Sequence, residues 1–184
     1  MPQVQVVSNS RAAITRRRPQ RLNGLFVSGS VIRPIEQQLQ AAGRNGHEQA
    51  ALLCGYVLGG PVGMVTTVLL PQTQNHLAGC HLSLATMVRC FEATKRLRQF
   101  FLAQIHTHPG RYCGHSKTDD EWAICDAPGF FSIVVPCFAR QGLAKLFAGG
   151  AAVHERMATG EWRRLPIEEI RRRFFIIPAH HHVA

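Results

Sequence analysis

Nowhere in these 184 residues do about 18 apolar residues run together, the length that a membrane-spanning helix requires. Residues 1–23 also lack the apolar core of a secretory signal, so the expectation is a soluble, cytoplasmic chain without a membrane partner. The same stretch contains no acidic side chain. Its Arg11, Arg16, Arg17, Arg18 and Arg21 account for five of the ten net positive charges. An acid-free, Arg-rich start also suits an organelle transit peptide, but the minority reading is set aside. No aromatic residue is interleaved among these arginines as in a single-strand stacking platform, which disfavours nucleic acid. Residues 1–23 therefore read as a flexible basic arm, in which Val4–Val7 could pair as an edge strand, ahead of one domain over 24–184. An apolar content of 46% suffices for one well-buried domain and hardly for two. No C-x-x-C occurs among Cys54, Cys80, Cys90, Cys113, Cys125 and Cys137, which argues against a zinc ribbon or a redox pair and for reduced core thiols. His47-Glu48 lacks the second histidine of H-E-x-x-H, because Ala51 stands where it would fall.

What is present is a concentration of ligand chemistry around residue 106. Residues 100–105 form an apolar run suited to a buried strand, followed by His106-Thr107-His108-Pro109. Alternation puts His106 and His108 on one face and Thr107 on the other. Pro109 and Gly110 stop the strand, and the loop returns through Ser116 to Asp119 in the first turn of a helix. Two imidazoles, one carboxylate and an open fourth position make the usual ligand set of a catalytic zinc. Ser116 and Asp119 also satisfy a purely structural pattern, the S-x-x-D capping box.

Elsewhere the periodicity is that of an α/β protein. Residues 33–43, opening at Pro34, predict a helix with Ile35, Leu39 and Ala42 on one face. Ala50–Leu58 and Val62–Leu70 predict a hairpin, and Cys80–Leu82 a short strand. Ser83 predicts the N-cap of a long helix whose apolar positions Leu84, Met87, Val88, Phe91, Leu97 and Phe101 recur near helical spacing. Phe130–Val135 reads as a strand buried on both faces, and Lys145–Gly150 as a connection with a short strand. Ala151–Met157 and Glu161–Arg164 read as a hairpin. Pro166 opens a short helix with Glu168/Arg172 and Glu169/Arg173 spaced for ion pairs, and Phe174–Ile177 is too apolar for a solvated tail. His76 and His81 have no partner at motif spacing, and His180, His181 and His182 read as a surface tract.

His106-Thr107-His108-Pro109, six residues, Ser116, two residues and Asp119 together resemble the H-x-H-P-x6-S-x2-D signature of JAMM (MPN/JAB) zinc metalloproteases. Upstream, Glu48 through Gly55 resembles the family's E-x-x-G-x-L-x-G pattern, with Ala51 in place of the first glycine. The resemblance covers about residues 45–165 and is strongest to short bacterial members that accompany ubiquitin-like conjugation systems. It implies an α/β single domain with a mixed, strongly bent sheet flanked by helices, the deaminase-like MPN fold. It implies Zn2+ on His106, His108 and Asp119, Glu48 as general base and Ser116 as oxyanion donor. The implied substrate is the C-terminal tail of a ubiquitin-like protein, cut after its last glycine in precursor processing or deconjugation. The implied setting is a bacterial, antiviral pathway with activating and conjugating enzymes as partners. Alternatives are trimming of a sulfur-carrier protein at the same site, a non-catalytic MPN scaffold, and a nucleic-acid-associated JAB domain.

Overall fold

Two apolar layers, one on each face of a bent mixed sheet, organise the chain. The computed structural model describes residues 5–8, 21–58, 60–76, 79–121 and 123–179. In chain order the elements are β1 (Gln5–Ser8), β2 (Gly24–Ser28), α1 (Gly29–Arg44), β3 (Ala50–Val57), β4 (Val62–Leu70), β5 (Gln74–His76), β6 (Gly79–His81) and α2 (Leu84–Leu97). They continue with β7 (Phe100–Thr107), α3 (Lys117–Glu121), β8 (Phe131–Val135), β9 (Ala152–Arg156), β10 (Trp162–Arg164), α4 (Ile167–Arg173) and β11 (Phe174–Ile177). The sheet runs β10-β9-β8-β7-β3-β4-β2-β11, β1 pairs with β4 as well, and β5-β6 form a separate ribbon. This mixed sheet flanked by helices is the architecture expected. His180, His181 and His182 lie outside the described residues.

The middle of the sheet is antiparallel, with β3 hydrogen-bonded to β4 on one side and to β7 on the other. Both pairings shift register near Cys54, and such bulges bend a sheet. A glycine is required there, because a Cβ on Gly55 would lie 1.9 Å from the carbonyl oxygen of Met64. β7 and β8 are parallel. A parallel pair cannot be closed by a tight turn, so the chain between them must cross over, and that crossover carries Ser116 and Asp119.

One face buries Val31, Ile35 and Leu39 of α1 and Ile170 of α4 against Leu53, Ile105 and Ile133. The other, smaller layer holds Leu52, Leu69, Phe101, Ile124 and Phe130 under Cys90 and Ala93 of α2.

Four expectations need correction. The first helix starts at Gly29 and runs through Pro34, because the buried stripe Val31, Ile35, Leu39 and Gly43 begins a turn earlier than the proline, with Ala42 at its margin. α2 is capped by Ser83 as expected, its hydroxyl accepting from Thr86 N at 3.2 Å, but its buried face is Thr86, Cys90, Ala93 and Thr94. Leu84, Val88 and Phe91 are exposed by 77, 47 and 48%. Small side chains let α2 sit close to the sheet, Met87 is partly buried beside them, and Phe101, read with this helix from its spacing, lies in β7, because the helix ends at Leu97. Around Lys145–Gly150 there is a single 3-10 turn at Leu146–Ala148 instead of a strand. β2 was not expected as a strand; it runs parallel to both β4 and β11, giving the apolar Phe174–Ile177 its place at the sheet edge.

Candidate metal centre

Everything at the centre follows from the register of β3 on β7. Ala50 lies opposite His106, and partners in a ladder share a face. Two residues back, Glu48 comes level with His108 on that same face, while Gln49 and Thr107 take the other. The main chain locks this register beyond the end of β3: Thr107 N donates to Gln49 O at 3.1 Å, and Gln49 N donates to Thr107 Oγ1 at 3.1 Å. Bland and functional readings of the His-x-His pair thus diverge here, since a cross-strand carboxylate joins it.

His106 and His108 are buried, and the crossover returns Asp119 onto them. The two Nε2 atoms are 3.3 Å apart, His106 Nε2 is 3.2 Å from Asp119 Oδ1, and His108 Nε2 is 3.4 Å from Asp119 Oδ2. Donors on a tetrahedral zinc with bonds of about 2.0–2.1 Å lie about 3.3–3.4 Å apart. The two imidazole nitrogens, and each nitrogen with its nearer Asp119 oxygen, stand at that spacing, so the three side chains are gathered closely enough to share one ion. Among the described residues they form the one group of three such side chains whose ligand atoms lie within 4.8 Å of one another. His108 Nδ1 sits 3.0 Å from Tyr112 O; donation of its N–H to that carbonyl leaves the Nε2 lone pair turned toward the other ligands.

Ser116 and Asp119 do form the capping box: Ser116 N donates to Asp119 Oδ2 at 2.7 Å, and Asp119 N donates to Ser116 Oγ at 3.1 Å. Capping and ligation are compatible, because the amide bond fixes the carboxylate that faces the histidines. Burial alone would raise the Asp119 pKa, yet hydrogen bonds from both histidines and from the Ser116 amide hold it far below the carboxylate range. For His108 burial works downward, and Asp119 and Glu48 overcome it to raise the pKa. Burial raises Glu48, with His108 and His106 pulling the other way. Glu48 is thus half-buried and close enough to feel all three ligands.

Several contributors carried no sequence signal. Gln104 points to the same face as His106, donates to Ser132 Oγ at 3.2 Å and accepts from Ile124 N at 3.2 Å, which anchors the crossover behind Asp119. His115 sits in the six-residue gap of the motif, where the pattern specifies nothing. Its Nδ1 is 2.5 Å from Asp120 Oδ1, and its ring packs 4.5 Å from Trp162 and 6.1 Å from His106. A cavity of about 30 Å³ adjoins the ligands, walled by Leu52, Leu82 and Ile124 beside His106 and Asp119. His81 makes no part of the metal group.

A bent α/β sheet presenting two histidines, an aspartate and a cross-strand glutamate defines a candidate metal-dependent hydrolase. The chain is 34% identical over 139 residues to the probable metalloprotease y4jG of Sinorhizobium fredii, an alignment spanning 72% of this chain and 81% of that protein. It belongs to the family of that protein. No family model matches the sequence. Among solved structures, the solution structure of protein DSY2949 from Desulfitobacterium hafniense superposes with a TM-score of 0.58 at 15% identity, over 86% of this chain and 99% of that one, and shares the fold. A JAB1/MPN domain protein from Archaeoglobus fulgidus aligns with a TM-score of 0.38 at 16% identity, over 77% of this chain and 93% of that one.

Proposed function

We propose that this protein is a JAMM-type, zinc-dependent peptidase that cleaves after the C-terminal glycine of a ubiquitin-like protein. The observation that carries the catalytic part is the gathering of His106, His108 and Asp119, with one ligand atom of each within 4.8 Å of the others and Glu48 on the same face. His106, His108 and Asp119 would hold the ion. When bound, zinc supplies Lewis acidity, making water a nucleophile at neutral pH. Glu48 takes the proton released by that water and delivers it to the departing nitrogen, without which an amine is a poor leaving group. The Ser116 hydroxyl donates to the carbonyl oxygen as negative charge develops on it.

Two features support the substrate class. The cavity beside the ligands is small, about 30 Å³, with Leu52, Leu82 and Ile124 in its wall, which favours glycine next to the cut and excludes bulky side chains. Leu82, in its wall, immediately precedes Ser83, the cap of α2, and the exposed Leu84, Val88 and Phe91 continue at helical spacing. Contiguous exposed apolar residues of this kind mark protein-interaction sites, and a globular body attached to a narrow tail matches both features. Activating and conjugating enzymes are the partners such a substrate would bring, and an antiviral pathway is the setting that we propose with them. The test is incubation with ubiquitin-like proteins fused through a C-terminal Gly to a reporter, with products identified by mass spectrometry. Cleavage after Gly, lost when that Gly becomes Leu, is expected. Equal cleavage of short generic peptides would reject the ubiquitin-like reading and leave the peptidase standing.

A further inference from the structure

Glu48 lies in the connection between α1 and β3, two residues before the nearest regular strand, just after a turn that includes Gly46 with φ of +72° and the exposed His47. A proton shuttle in such a place needs an external brace. The residue that supplies one is Gln49. Its main chain is bonded to Thr107, as described above, and its side chain is 3% exposed with both ends of the amide used. Gln49 Nε2 donates to Pro71 O at 2.9 Å, and the Thr73 hydroxyl donates to Gln49 Oε1. Residues 71–73 form the stem of the β5-β6 ribbon, and that ribbon leads through Leu82 into the cavity wall.

We propose that Gln49 is a positioning residue: it couples the proton-carrying Glu48 to the stem of the β5-β6 ribbon, so that the base and the cavity wall keep one fixed relation. The chemistry demands glutamine. Glutamate would accept from Thr73 but turn a second acceptor on Pro71 O, leucine would make neither bond, and asparagine is one carbon too short. Since the amide faces away from His106 and His108, its loss leaves the ligands in place. It releases Glu48 on one side and the ribbon on the other.

The proposal rests on Glu48 as base, and its test keeps the two apart. Gln49→Leu, Gln49→Glu and Thr73→Val would be compared with wild type and with Glu48→Gln. Each Gln49 variant is expected to bind zinc with unchanged stoichiometry and to melt cooperatively. Its kcat on the glycine-linked fusion should fall about 10²-fold at near-constant KM, the scale of a misplaced catalytic group. Gln49→Leu/Thr73→Val should be no worse than Gln49→Leu alone, because the two share one bond. Two readouts need no substrate: amide hydrogen exchange over residues 72–82 should accelerate in both single variants, and the affinity for acetohydroxamate, a zinc binder that passes a proton to the base, should drop as in Glu48→Gln. Wild-type kcat and hydroxamate affinity in Gln49→Leu would overturn the coupling, as would loss of stability alone with no change in kcat. A wild-type protein that cuts no fusion would overturn the proposed function, and the exchange and hydroxamate results would still decide on Gln49.

Discussion

At the scale of single residues the centre separates holding from reacting. Asp119 is fixed by the Ser116 amide and faces both histidines, whereas no hydrogen bond ties Glu48 to a ligand among those described. Glu48→Gln should therefore retain full zinc, measured by atomic emission, and lose roughly 10³-fold or more in rate, as expected when a general base is deleted. Loss of zinc in that variant would make Glu48 a ligand. Ser116 carries two functions at once. Ser116→Ala should cost about 1 kcal/mol in denaturant unfolding from the lost cap and about 10²-fold in kcat from the lost oxyanion donor; the first without the second would leave only the cap. His106, His108, Ser116 and Asp119 were legible from spacing, because alternation along a strand and the i, i+3 reach of a cap are local rules. His115, Gln49 and Gln104 were not, since their partners lie 5, 22–24 and 20–28 residues away and no repeat or period links them.

The elements show where pattern reading held and where it misled. Runs such as Phe131–Val135 are buried at every residue and were readable as strands. α2 misled because its large apolar residues follow helical spacing on the face that solvent sees. What buries a helix is the fit to its neighbour: the buried positions here are Cys90, Ala93 and two threonines, with Met87 partly buried beside them. Phe91, about half exposed, packs edge-on against Phe101 with ring centroids 5.0 Å apart, so Phe91→Asp should lower stability by about 1 kcal/mol while raising KM for a globular ubiquitin-like fusion about tenfold or more, on the scale of a buried interface anchor. An unchanged KM would remove α2 from the substrate path. α1 has a different duty. A left-handed turn at Cys137, Phe138 and Ala139, with φ between +52 and +57°, wraps the end of β7. Phe138 N donates to His108 O at 2.9 Å, and Gln40 Nε2 of α1 donates to Ala139 O at 2.9 Å. Such a conformation costs roughly 1–2 kcal/mol per residue, so it persists because α1 holds it there. A Cβ on Gly43 would come within 2.3 Å of Phe138 Cβ. Gly43→Ala should thus destabilise by about 1–3 kcal/mol and weaken zinc binding, seen by chelator competition, through the shift imposed on His108.

For the whole molecule, the ionic layout ties the far edge of the sheet together. Glu155, fully buried, is bonded to Arg21 at 2.7 Å, Arg163 at 3.0 Å and Arg173 at 3.1 Å, joining the start of the described domain to β10 and α4. The expected Glu169–Arg173 pair forms within that cluster. Long-range closure of this kind has no local signature, and the sequence shows it only as an excess of arginine. On the active face, burial and the charges of His115 and Arg164 push the His154 imidazole down to about 4. In the unfolded chain it binds a proton near pH 6.5, so between about 6.5 and 4 the unfolded state holds more protons. Stability should be undiminished by this group above pH 6.5 and fall as pH drops toward 4, by on the order of 3 kcal/mol; in His154→Gln, the acid slope of unfolding free energy should lose about one proton. Among the described residues no helix is long and apolar enough to cross a membrane, which leaves a domain organised about its metal-ligand face. The central claim, that His106, His108 and Asp119 hold a catalytic zinc, is tested most directly by metal content and hydrolysis in protein truncated before His180. One zinc per chain in the wild type is predicted, with both zinc and peptide cleavage lost in His106→Ala/His108→Ala and in Asp119→Ala. Full zinc and undiminished cleavage in the double variant would contradict it.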